Sequence, residues 1–258
     1  ASGTSFKTYY TLGNGDFSTT KGLEIEMTMR RYERLALNGS IAFQDAQGTG
    51  SFPNSNRGIV GSPLDGVTVF TPKYISPLEY NNSVRASLNF DYRFGENDGP
   101  AVLHEAGVSV LMKYSSGHPY TRGIGGDDLE GDARNRQPVE PLGASTTPST
   151  FQVDLRIDKS FTIYDKLKAN VYIYVINLFD KKNIENVFLR TGSTTDDGYI
   201  NNPSTGGKIV ENDPRFYDFY QALNIDYYER YQNAASLQTT PFFYGDPRQI
   251  RLGIRLEY

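Results

Sequence analysis

Seven stretches of this chain alternate apolar and polar residues with a period of two. No other feature narrows the fold so far, because a strand turns successive side chains to opposite faces and a helix cannot sustain that period. Leu23, Ile25, Met27 and Met29 alternate with Glu24, Glu26, Thr28 and Arg30. Beyond the tight Arg31-Tyr32-Glu33-Arg34 connection, Leu35, Leu37, Ile41 and Phe43 alternate with Ala36, Asn38, Ser40, Ala42 and Gln44, which reads as a hairpin. Val84, Ala86, Leu88, Phe90, Tyr92 and Phe94 form a third stretch, and Val108, Val110 and Met112 a fourth. Phe151, Val153, Leu155, Ile157 and Phe161 are followed, past a short turn at 164–166, by Leu167, Ala169, Val171, Ile173 and Val175. The last stretch sets Ile250, Leu252, Ile254, Leu256 and Tyr258 against Gln249, Arg251, Gly253, Arg255 and Glu257. A weaker stretch at Phe6–Leu12 brings the expectation to about eight antiparallel strands, each near the ~9–11 residues of a tilted strand that crosses a bilayer.

The connections carry separate information. Short ones are expected at 31–34, 95–105 and 162–166, and long ones at 45–82, 116–149 and 190–243. Alternation of short with long sends every long connection to one end of the sheet, as in outer-membrane barrels with short periplasmic turns and long extracellular loops. On that pattern the C-terminus is expected on the periplasmic side.

Composition agrees with an all-β chain: 19 Tyr, 15 Phe and 25 Gly among 258 residues. A mean hydropathy of −0.51 and the lack of a ~20-residue apolar run exclude a spanning helix. They leave a membrane barrel open, since only alternate residues of its strands meet lipid. A soluble sandwich also alternates, with one face on its core and the other in water. Strand length, one-sided loops and charges on the polar face of nearly every strand favour the membrane barrel. No basic region followed by an apolar run opens the chain at Ala1, so a signal peptide is not expected in it.

Several chemistries are disfavoured. The chain has no Cys and two His, His104 and His118, which rules out disulfides, thiolate metal sites and a His-rich site. Neither His has a nucleophile in a credible setting, so the chain is not expected to be an enzyme, and no cofactor or metal is expected. A net charge of −4 argues against nucleic acid as a partner. Asp127, Asp128, Glu130 and Asp132 form an acidic run whose spacing fits no EF-hand and which reads as a solvated loop. Gly123-Ile124-Gly125-Gly126 lacks the strand and helix of a phosphate cradle and reads as a turn.

Within the expected outer loops, two features suggest contact with a substrate or partner. His118 and Tyr120 stand where a strand passes into a loop. Downstream, Asp213 is expected as the N-cap of a short helix, with Pro214 at its first position. Phe216, Phe219, Tyr220, Leu223 and Tyr227 then share one face. That face either packs beneath the loop or presents an aromatic surface to an oligosaccharide, a peptide or a protein.

Three segments resemble the barrels of TonB-dependent outer-membrane transporters, most nearly the Bacteroidetes-type members. These are Lys21-Gly22-Leu23-Glu24 at a strand entry, Asn177-Leu178-Phe179-Asp180 closing the penultimate strand, and Gly245-Asp246-Pro247-Arg248-Gln249 leading into a final strand that ends at Tyr258. The resemblance implies the C-terminal part of a larger barrel, with the plug domain and earlier strands outside 1–258. It implies location in a Gram-negative outer membrane and uptake of a scarce nutrient such as an oligosaccharide, peptide or metal chelate. Its implied partners are outer-membrane lipid, the TonB complex through other parts of the chain, and a surface lipoprotein. It also casts Ile250, Leu252, Ile254, Leu256 and Tyr258 as an assembly signal. A self-contained eight-stranded barrel with an adhesive or structural role is the alternative.

Overall fold

The computed structural model describes residues 13, 15–52, 73–124, 137–164, 167–226 and 243–257. The expected strand at 6–12, the acidic run at 127–132, Tyr227 and Tyr258 lie outside them.

Each alternating stretch is a strand. β1 (Ser18–Tyr32), β2 (Leu35–Gly48), β4 (Val84–Arg93), β5 (Ala106–Ser115), β10 (Thr150–Tyr164), β11 (Leu167–Ile176) and β12 (Gln249–Glu257) pair in that order, all antiparallel. A two-residue β3 (Ser76–Pro77) on the end of β2 makes the sheet eight-stranded. Within the connection 116–149, β6 (Pro119–Tyr120) pairs with β9 (Ser145–Thr146), and β7 (Gly123–Ile124) with β8 (Gln137–Pro138). The short connections all leave one end of the sheet and the long ones the other. They are called below the turn end and the loop end.

Register carries the alternation coherently across the whole sheet. Met29, Leu37, Phe90, Val110, Leu155, Val175 and Ile250 form one continuous row. That row starts at the bottom of the apolar band of β1, whose uppermost member is Leu23, and finishes at the top of the band of β12. The band therefore slips six residues, from Leu23 to Met29, over the six strand pairs between β1 and β12. At ~3.3 Å per residue and ~4.8 Å between strands, the strands slant by roughly 35°, close to the tilt of closed barrels. With seven alternating long strands, β1 and β12 run in the same direction, so neither edge offers the other an antiparallel partner.

The apolar face of this sheet is largely bare, with Val153 and Ala169 its buried members. Leu252 is 76% and Ile254 70% exposed, and Leu23, Ile25, Met27, Ile157, Phe161 and Ile173 are exposed as well. The buried apolar residues sit mostly in the connections at the loop end: Leu78, Val187, Phe188, Ile200, Tyr220, Ile225 and Phe243. Phe188, Ile225 and Phe243 form a small cluster there.

The opposite face is polar and internally paired. Arg93 donates twice to Asp158, at 2.8 and 2.9 Å, although β5 lies between them. Gly107 occupies the crossing point, where a Cβ would stand 2.7 Å from the guanidinium. The same row continues through Tyr172 to Gly253; Arg156, two residues before Asp158, lies 4.5 Å over the ring of Tyr172, and that ring spreads across Gly253. A Cβ at Gly253 would fall 2.3 Å from the Tyr172 ring. Gly253→Val is therefore expected to expel the ring, free Arg156 and cost about 1–3 kcal/mol. Chemical denaturation of the variant, with Tyr172→Ala as its partner in a double-mutant cycle, measures the loss. Additive effects would show that the two do not interact.

Short helices form where the sequence signals one, and in one further place. α1 (Gly207–Asn212) has no start signal in the sequence. α2 (Arg215–Tyr220) follows Pro214, which already has helical dihedrals, and extended Asp213 at φ −140° and ψ 97°. Asp213 Oδ1 accepts the backbone N–H of Arg215 at 3.1 Å, the bond expected of a capping side chain. A π-helical turn continues the helix over Gln221–Asp226.

Candidate functional site in the loop layer

The three long connections pack together above the sheet and enclose a groove. Its floor is the loop end of the polar face, where Lys113 of β5 and Gln152 of β10 stand beside each other in register. Asp154, almost fully buried, accepts from both, at 3.2 Å from Lys113 and 2.7 Å from Gln152, and so holds the floor in place.

Asn177 ties the longest connection to this floor. It sits at the end of β11 with φ 54°, a left-handed conformation that Asn tolerates better than most residues. Its backbone N–H donates to Asp154 at 3.0 Å. Its side-chain amide donates to the carbonyls of Lys181 and Asp246, at 3.0 and 3.1 Å, and accepts the N–H of Lys181 at 3.0 Å. Three residues on, Asp180 accepts the N–H of Arg248 at 2.8 Å. The Asn-Leu-Phe-Asp segment therefore clamps the chain as it leaves β11 to the chain as it enters β12. Asn183 extends the clamp by accepting the N–H of Phe151 at 2.9 Å, and Ile184 bridges to Tyr244.

Above the clamp lies a cavity of about 600 Å³ bounded by Lys113, Gln152, Glu185, Tyr244 and Asp246. A cavity of about 380 Å³ adjoins it through Ser115, Thr150 and Glu185. A third, of about 670 Å³, continues past His118 and Asn186 to Tyr120 and Arg122. The lining residues shared between neighbours make these one groove.

His118 stands at the junction. Its backbone N–H donates to Thr147 Oγ1 at 3.0 Å, its carbonyl accepts the N–H of Thr147 at 3.0 Å, and its Nδ1 lies 3.2 Å from Thr147 Oγ1. Burial lowers its pKa below the ordinary histidine value, and the carboxylates of Glu79 and Glu185 oppose this only in part. Tyr120 lines the same cavity with its hydroxyl against the backbone at Gly192. Beside it, Glu140 accepts the backbone N–H of Arg122 at 2.7 Å, the main reason its carboxyl lies below the usual range.

The aromatic residues of α2 divide between two environments. Tyr220 is buried, stacks on Tyr199 at 5.0 Å and donates its hydroxyl to Asp197 at 2.6 Å. Burial, with that acceptor second, pushes its phenol well above the ordinary tyrosine range. Phe216 is half-buried, 5.9 Å from Tyr220, whereas Phe219 is 61% exposed. Of the residues singled out in the sequence, the groove brings together His118 and Tyr120, and Phe216 and Tyr220 share a second cluster. Ile250, Leu252, Ile254 and Leu256 stand on the bare face of β12. The floor and clamp residues Lys113, Gln152 and Asp154 carry no local signal, although the positive-φ pair Asn177 and Asp180 lies inside a motif already noted as a strand ending.

No protein-family model matches this chain, and no curated protein matches it. Among solved structures it is similar to FpvA of P. aeruginosa, determined with a heterologous pyoverdine and iron. The identity is 16% and the TM-score 0.40, over 67% of this chain and 17% of that one. The chain thus spans about a sixth of FpvA, and a likeness this slight transfers no ligand.

Proposed function

We propose that this chain is wall and outer loops of an outer-membrane transporter of the TonB-dependent type, taking a scarce nutrient into the periplasm without catalysing a reaction on it. One observation carries the membrane reading: a register-continuous apolar face is left bare while the buried apolar residues gather in the loop layer. A soluble sheet would bury that face, because apolar area in water costs roughly 25 cal/mol per Å². A lipid-facing wall requires it bare. The slant of roughly 35° supports the same reading.

Transport is favoured by the course of the groove, which descends from the loop layer to Lys113 and Gln152 on the polar face. On this reading that face lines the lumen. The parallel run of β1 and β12 means that these seven strands do not close on each other: an antiparallel barrel that contains them needs an odd number of others. The TonB-type assignment and the Bacteroidetes-type pattern rest on the resemblance at Lys21–Glu24, Asn177–Asp180 and Gly245–Tyr258. The nutrient, the TonB complex and a surface lipoprotein come with that resemblance.

Cysteine labelling tests the orientation cleanly, since the chain has no Cys of its own. A membrane-impermeant maleimide should label Ser204→Cys in intact cells and leave Glu33→Cys unlabelled until the outer membrane is opened. Labelling of Glu33→Cys alone would invert the topology, and equal labelling of both would remove the membrane from the account.

A further inference from the structure

The connection between β4 and β5, residues 94–105, folds onto the apolar side of the sheet at the turn end. Three contacts fix its course. Lys159 belongs to the apolar side of β10, 5.4 Å over the ring of Phe161, and its ammonium donates to the carbonyl of Val102. Phe94 extends the apolar alternation of β4, and Gly99, at φ 78°, lies close against its ring. Arg34 stacks 4.6 Å over the other contact surface of this turn, Phe94, reaches the hydroxyl of Tyr92 at 3.3 Å and grips Asp98 through two bonds of 2.6 Å.

The result is an apolar tip whose nearest acidic neighbours, Asp98 and Glu105, are paired, with the exposed Glu96 before them. Ala101–Leu103 form one 3-10 turn, with Val102 77% and Leu103 39% exposed. Asp98 is paired with Arg34, and Glu105 with Lys168 at 2.8 Å. The turn satisfies its own backbone through Leu103 N–H to Pro100 at 2.8 Å and Glu105 N–H to Gly95 at 3.1 Å. Water would favour a polar tip here. An amphipathic segment with paired charges, flanked by Tyr92, Phe94 and a snorkelling lysine, suits the boundary between headgroups and acyl chains.

We propose that residues 98–103 are an interfacial anchor, which dips Val102 and Leu103 into the phospholipid leaflet at the turn end, with Arg34 and Lys159 at headgroup depth. The inference rests on the membrane reading above and adds to it a lipid contact made by a turn. It sets the depth of the wall at that end, because Lys159 cannot move deeper without taking its ammonium and the turn with it.

The test uses the full-length protein in phospholipid nanodiscs, with an environment-sensitive fluorophore on Val102→Cys or, separately, on Leu252→Cys. The expected result is quenching of the Val102 probe by a nitroxide held near the headgroup and of the Leu252 probe by a deeper one. Adding Lys159→Ala to Val102→Cys should pass that probe to aqueous iodide, with loss of the lipid quenching. A Val102 probe quenched by iodide alone, beside a lipid-quenched Leu252 probe, overturns the anchor and leaves the wall intact. An iodide-quenched Leu252 probe overturns the wall itself and the anchor with it.

Discussion

Arginine in place of Leu252 lowers the unfolding free energy of the membrane-inserted protein by about 2–4 kcal/mol, while Arg255→Ala changes it far less. Both residues belong to β12, Leu252 on its apolar face and Arg255 three residues further along on its polar face. Leu252 pairs with Ile173 inside the apolar band, one row below Ile250, so a guanidinium there has acyl chains around it. Its escape is to snorkel toward the boundary, which recovers part of the hydration but not the cost of leaving the band. Arg255 pairs with Asn170 on the polar face, where truncation places no charge on the apolar side. Chemical unfolding in phospholipid vesicles measures both. Equal penalties would mean that the bare face does not meet lipid.

Asn177→Leu costs about 3–5 kcal/mol, through two backbone groups left without partners and a left-handed backbone that a branched side chain resists. The orphaned groups are the N–H of Lys181 and the carbonyl of Asp246, both now met by one amide that is 1% exposed, while the carbonyl of Lys181 keeps the N–H of Asn183 at 3.0 Å. Water cannot enter to replace it without opening the clamp. The loss should therefore be local as well as global: proteolysis between 183 and 245 should accelerate in the inserted protein, while the wall strands stay protected. Asn177→Asp, which keeps an acceptor for Lys181 but loses both donors, should fall between the two. Wild-type proteolysis rates in Asn177→Leu would show that the connection is held by something other than this amide.

These two residues also divide what is local from what is not. The placement of Leu252 on the apolar face was legible from period two alone, because the pleat of a strand leaves a residue only two directions. So were all seven long strands, the sorting of turns and loops to opposite ends, and the helix start at Asp213-Pro214, since each rests on neighbours within a few residues. Asn177 could be seen to end a strand. Its partner Asp246, 69 residues away, could not be seen, because no periodicity relates two loop segments that meet only after the sheet has formed.

Tertiary contact decided the rest. It separated Tyr220 from Phe219, turning one inward to Tyr199 and Asp197 and leaving the other exposed, although both belong to the aromatic stripe that helical spacing predicts. It joined His118 and Tyr120 to Lys113, Glu185 and Asp246 in one groove, drawing on three connections whose order along the chain says nothing of their packing. It also folded 94–105 onto the apolar side through Lys159, a cation that alternation assigns to the apolar face and whose ammonium meets the carbonyl of Val102 and the ring of Phe161. The sequence by itself determined which face of each strand is apolar, because that depends on the pleat. The slant of the wall, the groove and the clamp depend on register and on contacts between distant loops, and those exist only in the folded sheet.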